Sequence, residues 1–375
     1  MNKIPPVDLT RQYQWISEEI QAVVLEILSS GHYIGGKTVT DFEKQFADYI
    51  GVSECVACNS GTDALYLALR ALNIGKGDEV ITSPFTFIAT AEAITLTGAI
   101  PVFVDIAPET FNLDVNQIEA AITSKTKAIL PVHLFGQPVN MTQLMQIART
   151  HHLFVIEDCA QATGAQWAGQ SVGSIGHIGA FRFYPTQNLA ACGDGGAVTT
   201  NDPAIAASIR IIKEHGSRVR YYHEAIGINS RLDTIQAAIL QVKLRHLDRW
   251  NQQRCEIADR YQQLLHFLPG IKLPQVLDGG KHVWNQYTIR IKDRVKDTTL
   301  YRDQVREKLQ QMGVLSMIYY LIPLHLQPVY QNLGYQMGQF PVSEQVSGEV
   351  LSLPMFPELS LEEQQQVAYS LKDCT

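Results

Sequence analysis

Between Asp41 and about Pro203, short runs of apolar and β-branched residues alternate with stretches whose apolar positions recur at helical spacing. The runs predict strands at Cys55–Cys58, Glu79–Ser83, Ile100–Asp105, Ala128–His133, Leu153–Glu157, Gly179–Tyr184 and Gly196–Thr200. The fourth and fifth are almost continuously apolar, as strands covered on both faces must be. Helices are predicted between them at Thr62–Leu72, Thr90–Thr97, Asn116–Ile122 and Met141–Thr150, several opened by a capping Asp, Asn or Thr. Such alternation predicts an α/β fold with a mostly parallel sheet. After Asp202 the pattern turns helical, with Pro203–His215 and then one long stretch from Asp233 to about Phe267 that could link two lobes. The remainder holds a strand at Gln286–Ile291, a helix at Tyr301–Met312 and proline-punctuated loops, a smaller α+β arrangement. A large domain over 1–248 and a small one over 249–375 are expected, the N-terminal segment packing on the small one.

Composition narrows the function classes. The chain has 375 residues, 46% hydrophobic and 18% charged, with 30 Lys+Arg against 37 Asp+Glu for a net charge of −7. With no basic block, its field offers nothing to nucleic acid or an anionic membrane. No apolar run approaches a membrane span, and Met1–Asp8 lacks an apolar signal core, so a cytoplasmic protein is expected. The six cysteines are irregularly spaced. Cys55-Val56-Ala57-Cys58 has the C-x-x-C form, but a three-residue step along a strand sends the two thiols to opposite faces. No histidine pattern suits a metal site, and none is expected.

In an open α/β sheet, ligands sit beyond the carboxyl ends of the strands. Asn59-Ser60-Gly61-Thr62 follows the first strand there and is either a phosphate cradle or an ordinary helix cap. Pro84-Phe85-Thr86-Phe87 brings aromatic rings to the same edge, as core or as ligand contact. Asp158 ends a buried strand, which is costly unless a cation, a cap or a ligand meets it. Gly193-Asp194-Gly195-Gly196 reads as a tight turn, and Asn229-Ser230-Arg231-Leu232-Asp233 as the start of the linking helix.

Together, Ser60-Gly61-Thr62, Pro84–Phe87, Glu157–Ala162, Phe183-Tyr184-Pro185-Thr186-x-Asn188-Leu189, Gly193–Gly196 and Gly227-x-Asn229-Ser230-Arg231 resemble, in order and spacing, the DegT/StrS-type sugar aminotransferases. The resemblance runs from Pro6-Val7-Asp8-Leu9 to Leu351-Ser352-Leu353-Pro354 and is nearest the branch acting on nucleotide-linked 3-keto-6-deoxyhexoses. It implies a fold-type I architecture with a seven-stranded sheet, a homodimer with shared active sites, and pyridoxal phosphate (PLP) or pyridoxamine phosphate (PMP) as cofactor. By the same resemblance, Ser60, Gly61 and Thr62 would hold the cofactor phosphate, and Phe87 would stack on the ring. Asp158 would pair with the ring nitrogen, and Gln161 would contact the ring hydroxyl. Asn229 would reach the neighbouring subunit's cofactor, and His325 would lie near the sugar. The partners implied are a nucleotide-linked keto-sugar and glutamate.

Three positions depart from that family's pattern. Its Schiff-base lysine falls at Gln187, its phosphate-contacting serine at Arg182 and its usual histidine at Thr163. An amide is neither nucleophile nor base near neutral pH, so any bound cofactor is expected to be non-covalent and turnover lost or severely reduced. A lone Lys-to-Gln change would suit an engineered trap, whereas three departures around one pocket favour natural divergence. Lys213 and His215 are the candidates for a substitute base, although a helix end is their ordinary role. Two rivals follow from the same residues: a sugar dehydratase-like enzyme using PLP or PMP, and a non-catalytic sugar-nucleotide-binding or regulatory homologue.

Overall fold

The computed structural model describes residues 3–292 and 301–374. Seven strands form the main sheet: β1 Glu54–Cys58, β2 Glu79–Thr82, β3 Ile100–Phe103, β4 Thr126–Ile129, β5 Phe154–Asp158, β6 Ile178–Arg182 and β7 Gly196–Thr200. Their order is β1-β7-β6-β5-β4-β2-β3. The five from β6 to β3 run parallel, while β7 is antiparallel to both β6 and β1. Gly196–Thr200 lies where the pattern predicts it, and the other strands agree to within a few residues at each end. The expected Ala128–His133 strand stops at Ile129, because Pro131 has no N–H for the ladder. Its carbonyl still accepts from Asp158 N at 2.9 Å, which carries the chain on beside β5.

Side-chain alternation divides two cores across this sheet. Cys55, Ala57, Phe181 and Ala197 pack with Phe42 and Phe46 on one face. Val56, Cys58, Ala180 and Val198 pack with Leu65, Leu69 and Ile209 on the other. The two C-x-x-C thiols therefore face apart as expected, and burial pushes Cys58 up to about 12 and Cys55 well above its ordinary value. Neither is a poised thiolate.

Three elements depart from the sequence pattern. Asn116–Ile122 is two 3-10 turns, Val115–Gln117 and Glu119–Ala121, because the segment is too short to propagate an α-helix and Ile122 is already extended. The long stretch after Asp233 divides into helices Thr234–Leu244 and Leu247–Leu265. At the break, Arg245 and His246 both reach Glu19, at 2.6 and 2.9 Å. Glu19 belongs to the helix Leu9–Ser30, which with Lys37–Ile50 forms an N-terminal pair that the pattern analysis did not assign. Ile16 and Ile20 of the first helix pack on Ile239, Val242 and Trp250.

A second sheet joins Ile271–Lys272, Tyr287–Ile291 and Val350–Leu353. Its core takes in Ile4, so the N-terminal segment packs with the C-terminal residues. Ile4 N donates to Gly313 O at 2.8 Å. No helix among the described residues is long and apolar enough to cross a membrane.

Candidate active site

The carboxyl ends of β1, β2, β5 and β6 converge on a cavity of about 440 Å³ of empty space. Gly61, Thr62, Phe87, Asp158, Gln161, Arg182 and Gln187 all line it. Among the described lining residues there is no lysine and no histidine.

Ser60 caps the helix Gly61–Ala71, its hydroxyl accepting from Asp63 N at 3.1 Å. Ser60 does not line the cavity. The cap leaves the first-turn N–H groups of Gly61 and Thr62 without intrahelical partners, as at any helix start. Gly61 is obligatory: a Cβ there would lie 2.5 Å from Arg182 Cβ. At Pro84–Phe87 the two rings separate, with Phe85 buried in the core and Phe87 46% exposed on the cavity.

Asp158 is 4% exposed. Its Oδ2 accepts from the Thr90 hydroxyl at 2.9 Å and its Oδ1 from Ala160 N at 3.1 Å. No Lys, Arg or His among the described residues forms an ion pair with it. Burial therefore pushes its pKa up, opposed by those two hydrogen bonds and, more weakly, by the Arg182 charge. A buried carboxyl short of a cation is a site that a protonated ring nitrogen would complete.

Gln161 is fixed by its neighbours: Oε1 accepts from Phe135 N at 2.7 Å, and Nε2 donates to the Tyr320 hydroxyl at 3.2 Å. Arg182 has no carboxylate partner among the described residues. Its guanidinium lies 4.3 Å from the Tyr184 ring centre and 5.6 Å from that of Phe87. Gln187 is 6% exposed, and its Oε1 has no hydrogen-bond partner.

The remaining expected residues lie elsewhere. His325 packs on Phe340, and its Nε2 meets Glu344 at 3.0 Å. Asn229 Oδ1 accepts from Arg231 at 2.8 Å, and Arg231 also holds Glu214 at 2.7 Å. Lys213 pairs loosely with Glu214 at 3.7 Å, and His215 is exposed; neither lines the cavity. Thr163 is buried, with its carbonyl accepting from Asn251. Sequence reasoning missed Thr86, Thr90 and Tyr320. The two threonines stand four apart at the start of the helix Ala89–Leu96 and share a hydrogen bond at 3.1 Å, a spacing that was legible. Tyr320 comes from a loop more than a hundred residues downstream of β6 and carried no local signal.

Comparison with known proteins agrees with this geometry. The DegT/DnrJ/EryC1/StrS aminotransferase family model matches residues 14–372. A pleiotropic regulatory protein of Geobacillus stearothermophilus is 47% identical over 372 residues, covering 99% of this chain and 98% of that protein. A UDP-N-acetyl-3-dehydro-α-D-glucosamine 3-aminotransferase of Acidithiobacillus ferrooxidans is 45% identical over 365 residues, covering 97% and 96%. The crystal structure of Streptomyces venezuelae DesV in complex with a ketimine intermediate superposes with a TM-score of 0.95 at 40% identity, covering 100% of this chain and 98% of that one. A Bacillus subtilis NtdA structure with bound PMP gives 0.92 at 34% identity, covering 100% and 85%. With cavity, sheet order and near full-length similarity in agreement, the chain belongs to the DegT/DnrJ/EryC1/StrS aminotransferase family.

Proposed function

We propose that this chain holds PLP or PMP without a covalent bond, binds a nucleotide-linked keto-deoxysugar, and has lost all or most transamination turnover. The observation that carries this reading is Gln187. It stands in the cavity with a buried, unpartnered oxygen, and no lysine among the described residues lines that cavity.

The cofactor, when bound, supplies an electron sink. The N–H groups of Gly61 and Thr62 would hold its phosphate, aided by the helix dipole, and Phe87 would cover one ring face. Asp158 would keep the ring nitrogen protonated. The second hydrogen of Gln161 Nε2 remains for the ring hydroxyl, since its first serves Tyr320. Gln187 can position a ligand by hydrogen bonding but can neither attack a carbonyl nor carry a proton between carbon and nitrogen. The dehydratase-like reading needs a base at this point, and no histidine among the described residues lines the cavity to provide one. Arg182, with its free guanidinium, favours the alternative of a non-catalytic binding or regulatory protein, compatible with the name of the Geobacillus relative.

A homodimer completes the proposal. Asn229 does not serve its own cavity, and the nearby hairpin of Ser217–Val219 and Tyr222–His223 exposes Tyr221 at 82%, with Ile226 at 84% a few residues on. The six cysteines are free, as in a reducing compartment, which supports a cytoplasmic place. The test is borohydride treatment of PLP-loaded protein followed by peptide mapping: no pyridoxyl adduct is expected on the peptide carrying Gln187 or on Lys213. A stoichiometric adduct on Lys213 or on any lysine reaching the cavity overturns the non-covalent reading, and a monomer in sedimentation at micromolar concentration overturns the dimer.

A further inference from the structure

Two anchors fix the Asp158 carboxylate. Ala160 N donates to Oδ1 at 3.1 Å, and the Thr90 hydroxyl donates to Oδ2 at 2.9 Å. The backbone anchor alone would leave the group free to turn, because the terminal torsion of an aspartate is broad. A second anchor on the other oxygen stops that rotation. It still leaves acceptor capacity on each oxygen for a ligand, since an ionised carboxylate offers about four lone-pair sites. Of the two anchors, only Thr90 is a side chain, and it comes from a different element, the helix Ala89–Leu96.

Thr90 and Thr86 are both buried, and their hydroxyl oxygens lie 3.1 Å apart. Each hydroxyl carries a single proton. An ionised Asp158 only accepts, so Thr90 must direct its proton there and take its own hydrogen bond from Thr86. The direction Thr86 to Thr90 to Asp158 is therefore set by the charge at its end. A neutral Asp158 would donate to Thr90 instead, and the pair would reverse. The other ionisable groups nearby do not anchor the carboxylate. Arg182 makes no ion pair with it among the described residues, and His133 directs its ring proton at Glu157. Burial raises the Tyr320 hydroxyl above its ordinary value, so it stays neutral, and it accepts from Gln161.

We propose that Thr90, oriented by Thr86, is a positioning residue for the cofactor, its hydroxyl keeping Asp158 ionised and turned so that the free lone pairs meet the ring nitrogen. This rests on the PLP or PMP reading above, and two readouts keep the two apart. The first needs no cofactor: the NMR resonance of the Asp158 carboxyl carbon is followed through a pH titration of the full-length protein. Thr90→Val is isosteric and removes the donor, and it should move the Asp158 midpoint upward. The bond from Thr90 favours the charged form, so its loss acts in that direction. The second readout is PMP labelled at its ring nitrogen, whose NMR resonance reports protonation. Thr90→Val is expected to weaken PMP about tenfold, in keeping with a hydrogen bond to a charged group, and to move the ring nitrogen toward its unprotonated resonance. A hydroxyl that only filled a hole in the core would leave that resonance where it is. Thr86→Val should cost less, about threefold, because Thr90 keeps its proton for Asp158. Thr90→Ser, which keeps the hydroxyl, should match the wild type in both readouts. Should Thr90→Val not fold, Thr90→Ala carries the same expectations. A folded Thr90 variant without the hydroxyl that binds PMP as tightly as the wild type, or whose Asp158 midpoint stays in place, overturns the proposal. A larger loss from Thr86→Val than from Thr90→Val overturns it too. Absence of PMP binding to the wild type removes the cofactor reading instead, and the Asp158 midpoint alone then decides whether Thr90 holds the charge.

Discussion

Glu157 and Asp158 are consecutive acids on one buried strand, yet the two sides of the sheet treat them oppositely. On its side Glu157 is saturated: Oε1 accepts from Ile175 N at 2.9 Å and Gly176 N at 2.7 Å, and Oε2 meets His133 Nε2 at 3.0 Å. Val139 N donates to His133 Nδ1 at 3.1 Å, so the ring proton sits on Nε2 and points at Glu157. Glu157, His133 and Cys159 lie close enough to suggest a metal cluster, but this tautomer leaves the histidine no lone pair for an ion. Asp158, on the cavity side, has one hydroxyl and one amide, and near it lie the unpaired Arg182 and the orphan oxygen of Gln187. A closed polar network braces the fold. An incomplete one at a strand end is where a ligand is owed.

The strongest way to break this contrast is Glu157→Leu. It strands two backbone N–H groups and the His133 proton, and a loss of roughly 3–5 kcal/mol is expected in urea unfolding. A loss below about 1 kcal/mol would mean the network is not closed as described.

The cavity side is sharpened next by Gln187→Lys and Gln187→Lys/Arg182→Ser, followed through the glutamate half-reaction by cofactor absorbance. The double variant is expected to exceed the single one by up to about 100-fold if the Arg182 head crowds the phosphate position, since misplacement by ~1 Å costs about that much. Equal rates would make Arg182 a compatible phosphate ligand.

Asp158→Asn separates stability from binding. Burial raises the Asp158 pKa, so below the unfolded carboxyl's range the group costs nothing, and its penalty grows as pH climbs toward and through the folded value. At pH 7 the variant should therefore unfold no earlier than the wild type. On acidification toward the ordinary Asp range the wild type should regain ground against it. The Thr86–Thr90 hydroxyl pair can reverse to accept the new amide. PMP affinity, by contrast, should fall about tenfold, some 1.4 kcal/mol. Lower stability at pH 7 with unchanged PMP affinity would mean that Asp158 is structural like its neighbour.

The sequence by itself determined the α/β alternation, the strand positions near the cavity and the opposed faces of Cys55 and Cys58, and it brought Gly61 and Asp158 forward as candidates. These follow from local period and from the rule that strand ends carry ligands, whereas Gln187 was singled out only by the family resemblance. Tertiary structure alone decided what each polar group meets. Ser60 is spent on its cap, while Gly61 is held to glycine by an Arg182 stem more than a hundred residues away. The long linking helix breaks where Arg245 and His246 meet Glu19, a contact that no local pattern encodes. The Asn188, Asn251 and Asn285 amides hydrogen-bond to one another, and Asn251 to the Thr163 carbonyl, although the four residues come from separate segments. Hydrogen-bond satisfaction is a property of which groups are brought together and shut off from water, so only the folded chain shows which donors and acceptors remain unpaired.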